Sequence, residues 1–171
     1  VDASQTYQMI VDAVIAAGGP VYQFRDIAPK PNRDGGESGG RAVADVLFGD
    51  YNPAGKLPVT FYKNIQQLPD FEDYSMKGRT YRYMSDPLFP FGFGLSYTTF
   101  SIGNAKVSNP SPAAGETVEL VIPVTNTGKR CGTEIIQVYV RKVHDTDGPL
   151  KTLRGFQRVS LEAGKSGHAV I

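Results

Sequence analysis

A chain of 171 residues has room for one or two small domains. Its 18 basic and 17 acidic residues leave a net charge of +1 with no basic stripe, which argues against backbone-driven binding of nucleic acid. Hydrophobic residues are 40% of the total, yet no apolar run approaches the roughly 20 residues of a membrane span. A single cysteine, Cys131, excludes an internal disulfide framework and a cysteine-rich zinc site. The expectation is a protein with no cofactor, no metal, and neither nucleic acid nor membrane as partner. The opening V-D-A-S has neither the basic start nor the apolar core of a signal peptide, and no initiator Met. It reads as an interior piece of something longer.

Residues 3–17 have helical spacing, with Ser4 as N-cap and Tyr7, Ile10, Val11, Val14 and Ile15 on one face. Gly18 and Gly19 end that helix, and residues 20–24 (P-V-Y-Q-F) suit a short strand. Residues 29–40 are rich in proline and glycine and read as a loop. Within it G-E-S-G-G matches the G-x-S-x-G nucleophile pattern at Ser38. A strand must deliver that serine, however, and K-P-N-R-D precedes it. Residues 41–48 form a second predicted helix with Val43, Val46 and Leu47 inward, capped by Gly49. The turn D-Y-N-P-A-G leads to K-L-P-V-T-F at 56–61, an extended segment that Pro58 keeps from a central sheet position.

The run A-D-V-L-F-G-D-Y-N-P-A-G-K-L-P-V-T-F, then G-R-T-Y-R-Y, then F-P-F-G-F-G-L-S-Y-T-T-F resembles the C-terminal part of family 3 glycoside hydrolases. That is the β-glucosidase and β-xylosidase group. The wording L-P-D-F-E-D-Y-S-M-K-G-R at 68–79 is similar to the bacterial β-xylosidases in particular. One departure stands out. The link at residues 25–37 is short and proline-rich where the family places another strand, so a strand of the α/β sheet is expected to be missing.

Past Phe100 the pattern changes to period two. Strands are predicted at 101–108, 117–125, 133–141 and 168–171, with strand pieces at 150–156 and 158–161, a tight turn at N-T-G-K and about five strands in all. Short strands so spaced indicate a β-sandwich, and the resemblance implies a fibronectin type III-like one. Such a sandwich takes about 100 residues; about 70 are here, so an open sheet edge is expected. The fold class is therefore an α/β fragment, the C-terminal piece of an α/β sandwich domain, followed by an incomplete all-β fibronectin type III-like sandwich. The expected organisation is a partial α/β domain at 1–78, an interdomain tail at 79–100 and a C-terminally truncated sandwich at 101–171.

Hydrolysis of a glycoside by the usual route needs two carboxyl groups about 5–5.5 Å apart for retention, or about 6.5–9.5 Å for inversion. The resemblance implies retention, with an Asp nucleophile on an N-terminal barrel and an acid/base Glu upstream in the α/β domain. Neither motif is in this chain, so no catalytic residue is assigned. Asp45 reads as a polar helix position, Asp50 as a turn residue, and the Asp70, Glu72, Asp73 cluster as a solvated loop. Arg79, Tyr81 and Arg82 are candidates for substrate binding, because aromatic faces stack on sugar rings and arginine donates in a fixed fork. The competing reading makes 78–83 an extended tie that uses Arg–carboxylate pairs and buried tyrosines. Phe89, Phe91, Phe93, Tyr97 and Phe100 are expected as interdomain core. His144 beside Asp145 and Asp147 reads as a solvated loop, and Cys131 as an unactivated thiol.

The resulting expectation is the C-terminal portion of an enzyme that removes terminal β-linked xylose or glucose, inactive alone. Its partners would be a β-linked oligosaccharide or glycoside and a missing N-terminal barrel domain, in a periplasmic or secreted protein. The alternative is a non-catalytic carbohydrate-binding or structural β-sandwich module.

Overall fold

The structure, a computed structural model, describes residues 39–171. The helix predicted at 3–17, the strand at 20–24, the short link at 25–37 and Ser38 lie outside the described residues. Helix α1 (Gly39–Phe48) starts two residues earlier than the sequence suggests and has no buried residue. Val43 and Val46 are half-buried, but Leu47 in the last turn, expected inward, is 41% exposed beside Phe48 at 80%. Gly49 ends the helix at φ 82°, a left-handed conformation that costs glycine little. Its N–H donates to Val46 O at 3.1 Å, and Tyr51 N–H donates to Asp45 O at 2.9 Å. α1 belongs to a unit that ends at Tyr51; residues Asn52–Ile171 form a second compact unit.

The second unit opens with an irregular two-stranded ribbon. Leu57 N–H donates to Phe93 O, Gly92 N–H to Leu57 O, Phe61 N–H to Phe89 O and Leu88 N–H to Phe61 O, all at 2.8–2.9 Å. The segment 56–61 is thus extended and paired on one side, as Pro58 demands. A 3-10 turn (Ile65–Gln67) and a loop then lead to a single helical turn, α2 (Thr80–Tyr83). The G-R-T-Y-R-Y segment was expected to be extended. Instead its chain turns at Thr80, a β-branched residue held at φ 54°.

Six strands follow: β1 (Phe100–Ile102), β2 (Lys106–Val107), β3 (Leu120–Asn126), β4 (Gly132–Val140), β5 (Thr152–Leu161) and β6 (Ser166–Val170). β3 is central in one antiparallel sheet, pairing β6 along one side and both β1 and β2 along the other. β4 and β5 form the second sheet. The two pieces predicted at 150–156 and 158–161 are therefore one strand, and the one predicted at 101–108 is broken. The break has a local cause. Ile102 faces Val124 and Lys106 faces Val121, so one extra residue bulges opposite Pro123. Pro123 has no N–H to give that neighbour, and its carbonyl accepts Gly103 N–H at 2.9 Å. A proline inside a central strand is tolerated because the ladder parts where its donor is missing.

Alternation of apolar residues brings Ile122 and Val124 of β3, Ile136 of β4, Val159 of β5 and Ala169 of β6 into one buried cluster. Val124 and Ala169 are fully covered. Phe100, Leu120, Val138, Leu161 and Ile171 close around it. An α/β piece followed by a β-sandwich is the architecture expected from the sequence.

Candidate functional site: the aromatic seam

Between the ribbon and the sandwich lies a seam built from side chains of low sequence proximity. Asn52, first residue of N-P-A-G, is its hub. Its Oδ1 accepts Ser96 Oγ–H at 2.9 Å and Tyr97 N–H at 2.8 Å, while its Nδ2 donates to Cys131 O at 2.9 Å. Lys56 Nζ reaches Glu134 Oε1 on β4 at 2.6 Å, with both side chains under one-fifth exposed. A pair so withdrawn from water contributes to geometry more surely than to stability. The F-G-F-G repeat supplies close approach. A Cβ on Gly94 would lie 2.2 Å from Gly55 O, and one on Gly92 would lie 2.2 Å from Gln137 Oε1 on β4.

The three candidate binding residues point to different neighbours. Arg79 donates from Nε to Ser75 O at 3.1 Å and from Nη2 to Asp73 O at 2.5 Å and Asp70 O at 3.3 Å. Its fork thus holds backbone carbonyls, where carboxylates were anticipated. Tyr81 stacks on Phe91 at 4.4 Å between centroids and meets Tyr139 edge-on at 5.9 Å. Its hydroxyl accepts Leu153 N–H at 3.2 Å. That N–H is available because β5 carries an extra residue between the partners of Val138 and Tyr139. Arg82 lies 5.6 Å over the Tyr83 ring, its carbonyl accepts Leu150 N–H at 2.6 Å, and its Nε is buried without a hydrogen-bond partner. The three therefore do not converge on one cavity.

The aromatic core expected around F-P-F-G-F-G is present in part. Phe89 and Phe93 lie 4.9 Å apart and Phe61 meets Phe89 edge-on at 6.5 Å. Tyr97 departs from that expectation. It is 45% exposed, and the Arg130 guanidinium lies 5.9 Å over its ring.

The carboxylates hold the chain's own turns. Asp70 Oδ1 accepts Glu72 N–H, Asp73 Oδ1 accepts Ser75 N–H and Asp145 Oδ1 accepts Gly148 N–H, at 2.8–3.0 Å. Hydrogen bonds from Ser75, backbone first, hold Asp73 below its ordinary 3.8, and Arg79 and Lys77 act in the same direction. Desolvation in the seam pushes Tyr139 above its ordinary 10.0, with Tyr81 adding to the effect. Among the described residues no group of three His, Cys, Asp or Glu could hold a metal ion. His144 sits at φ 65° in an exposed loop, and Cys131 is a free, exposed thiol. Such a site can join two layers rigidly; it has no nucleophile with a base beside it.

Sequence reasoning recognised N-P-A-G only as a turn and missed Asn52 as a three-way tie. The signal available was the asparagine itself, which can accept and donate at once.

Residues 34–97 match the model of the glycosyl hydrolase family 3 C-terminal domain, and residues 134–171 that of the fibronectin type III-like domain. Over 134 residues the chain is 66% identical to a xylan 1,4-beta-xylosidase of Xylanibacter ruminicola, covering 78% of this chain and 15% of that protein. It is 42% identical over 144 residues to a periplasmic beta-glucosidase of Salmonella typhimurium, covering 76% of this chain and 19% of that one. Among solved structures, beta-glucosidase 3B of Thermotoga neapolitana is similar with a TM-score of 0.68 and 35% identity, over 79% of this chain and 21% of its own. The chain thus spans less than a quarter of the length of these relatives.

Proposed function

Because this chain belongs to the C-terminal part of the family 3 glycosyl hydrolases, we propose that it braces a catalytic site carried elsewhere in the same polypeptide. The whole protein would release terminal β-linked xylose or glucose from oligosaccharides or glycosides with retention of configuration. Its nucleophile and acid/base would lie in segments upstream of Val1, on a barrel domain and on the early α/β domain. The 66% identity to a xylan 1,4-beta-xylosidase carries this reading and favours xylosides. Within the piece, residues 1–78 would form part of the α/β domain, 79–100 the tail and 101–171 the sandwich. Arg79, Tyr81 and Arg82 would then act on substrate only indirectly, by fixing the loop and sheet around them. A relative named as periplasmic supports a protein that works outside the cytoplasm.

The test is a chimera in which this chain replaces the matching segment of the Xylanibacter ruminicola enzyme. It should hydrolyse an aryl β-xyloside, while the 171-residue chain alone should not. Turnover by the isolated chain, lost on changing one of its own carboxylates, would sink the proposal. So would a soluble chimera without activity. Binding of xylo-oligosaccharide by the chain alone would instead favour a carbohydrate-binding module.

A further inference from the structure

The loop at residues 68–79 combines a rigid base with an apolar outer face. Beneath it, Arg79 bonds three carbonyls, Tyr62 Oη–H donates to Gly78 O at 3.3 Å, and Asp73 N–H donates to Asp70 O at 3.1 Å. Two aspartate side chains tie turns to Glu72 and Ser75. A loop so cross-braced loses little conformational freedom on meeting a partner. Above it, Phe71 is 93% and Tyr74 90% exposed, with Leu68 at 50% and Met76 at 46%. These residues border an open groove of about 500 Å³. Aromatic side chains held out in water on a braced backbone mark an interaction surface, since solitary exposed apolar residues are ordinary but a clustered set is not.

We infer that this loop is a preformed docking surface for the catalytic portion of the same polypeptide, seating Phe71 and Tyr74 in an apolar socket rimmed by lysine or arginine. Two observations choose that occupant. The relatives are more than five times the matched length, so most of the polypeptide around this piece is elsewhere. Moreover Asp70, Glu72 and Asp73 are exposed, interleaved with the rings and outnumber Lys77 and Arg79 of the same loop, and this net negative charge calls for basic residues on the opposing rim. The inference rests on the function proposed above, and its test reads side-chain accessibility, independent of turnover.

Hydroxyl-radical footprinting compares the isolated chain with the soluble, monodisperse chimera described above. Modification of Phe71 and Tyr74 should fall roughly fivefold or more in the chimera, because rings at an interface core are shielded from solvent. Phe156, 66% exposed on β5, serves as the internal reference. Unchanged rates at Phe71 and Tyr74 would overturn the inference whether or not the chimera turns over. Protection in an inactive chimera would support docking while counting against the glycosidase reading. Protection of the isolated chain by its own rising concentration, or by xylo-oligosaccharide, would overturn it in favour of a second copy or a sugar. Phe71→Asp with Tyr74→Asp should abolish protection of Leu68 and Met76; their continued protection would likewise count against docking.

Discussion

The hydroxyl of Thr98 donates to the side-chain oxygen of Asn126 at 2.7 Å, and both residues are buried, Asn126 completely. The same oxygen accepts Gly128 N–H at 3.1 Å, while its Nδ2 donates to Arg130 O at 2.7 Å and Leu161 O at 3.1 Å. One amide thus joins the end of β3, the turn after it, the end of β5 and the T-T-F segment.

Asn126→Ala should therefore be severe. It leaves the buried Thr98 hydroxyl and the part-buried Gly128 N–H and carbonyls of Arg130 and Leu161 without their partner, and a group stranded out of water costs about 1–3 kcal/mol. A loss of about 3 kcal/mol or more in urea unfolding is expected, against roughly 1 kcal/mol for Thr98→Val. Equal effects of the two substitutions would show that the network does not act through Asn126.

Gly94 and Gly55 face each other but differ in tolerance. A Cβ on Gly94 meets Gly55 O at 2.2 Å, whereas a Cβ on Gly55 meets nothing within 4 Å. Gly94→Ala should destabilise by about 2 kcal/mol through forced separation of the seam, and Gly55→Ala should be near neutral. Thermal denaturation of the two variants side by side decides the matter.

Lys56 and Glu134 make the pair that crosses the seam. Removing one member, as in Lys56→Met, leaves a largely buried charge and should cost about 3 kcal/mol. The double variant Lys56→Met with Glu134→Leu should recover most of that loss. A double-mutant cycle in denaturant measures the coupling, and simple additivity would contradict it.

Two groups set opposite pH limits. Asp73 is depressed when folded, so its contribution is present above the ordinary value of 3.8 and is lost as pH falls through the lower folded value. Asp73→Asn should weaken the protein near neutral pH and match it in strong acid. Tyr139 is raised, so its contribution is present below 10.0 and is lost as pH rises beyond that. Tyr139→Phe should flatten the alkaline limb of the stability profile, which a pH series of urea unfolding would show.

Strands β3 to β6 were legible because each places apolar residues on a buried face: Ile122 and Val124 are two apart on β3, and Ile136, Val159 and Ala169 complete the same core. The break after Ile102 was not legible, since it answers Pro123 some twenty residues away. Nor was α2, where tertiary contacts at Tyr81 outweigh the strand preference of tyrosine and threonine. At the seam, Phe89, Phe91 and Phe93 were legible as packed aromatics, but what the glycines between them approach, Gly55 and Gln137, depends on pairing that no local pattern encodes. Arg79 was legible as a hydrogen-bonding residue; that its partners are carbonyls follows only from the turn beneath it.

The stack of Tyr81 on Phe91, crossed by Tyr139, has a spectroscopic consequence. The chain contains no Trp, so its near-ultraviolet signal comes from nine tyrosines and nine phenylalanines. Rings held 4.4 Å apart with one fixed tilt sit in a chiral setting, whereas Tyr74 at 90% exposure does not. The near-ultraviolet circular dichroism of this protein is thus an intrinsic gauge of the junction, readable without any label.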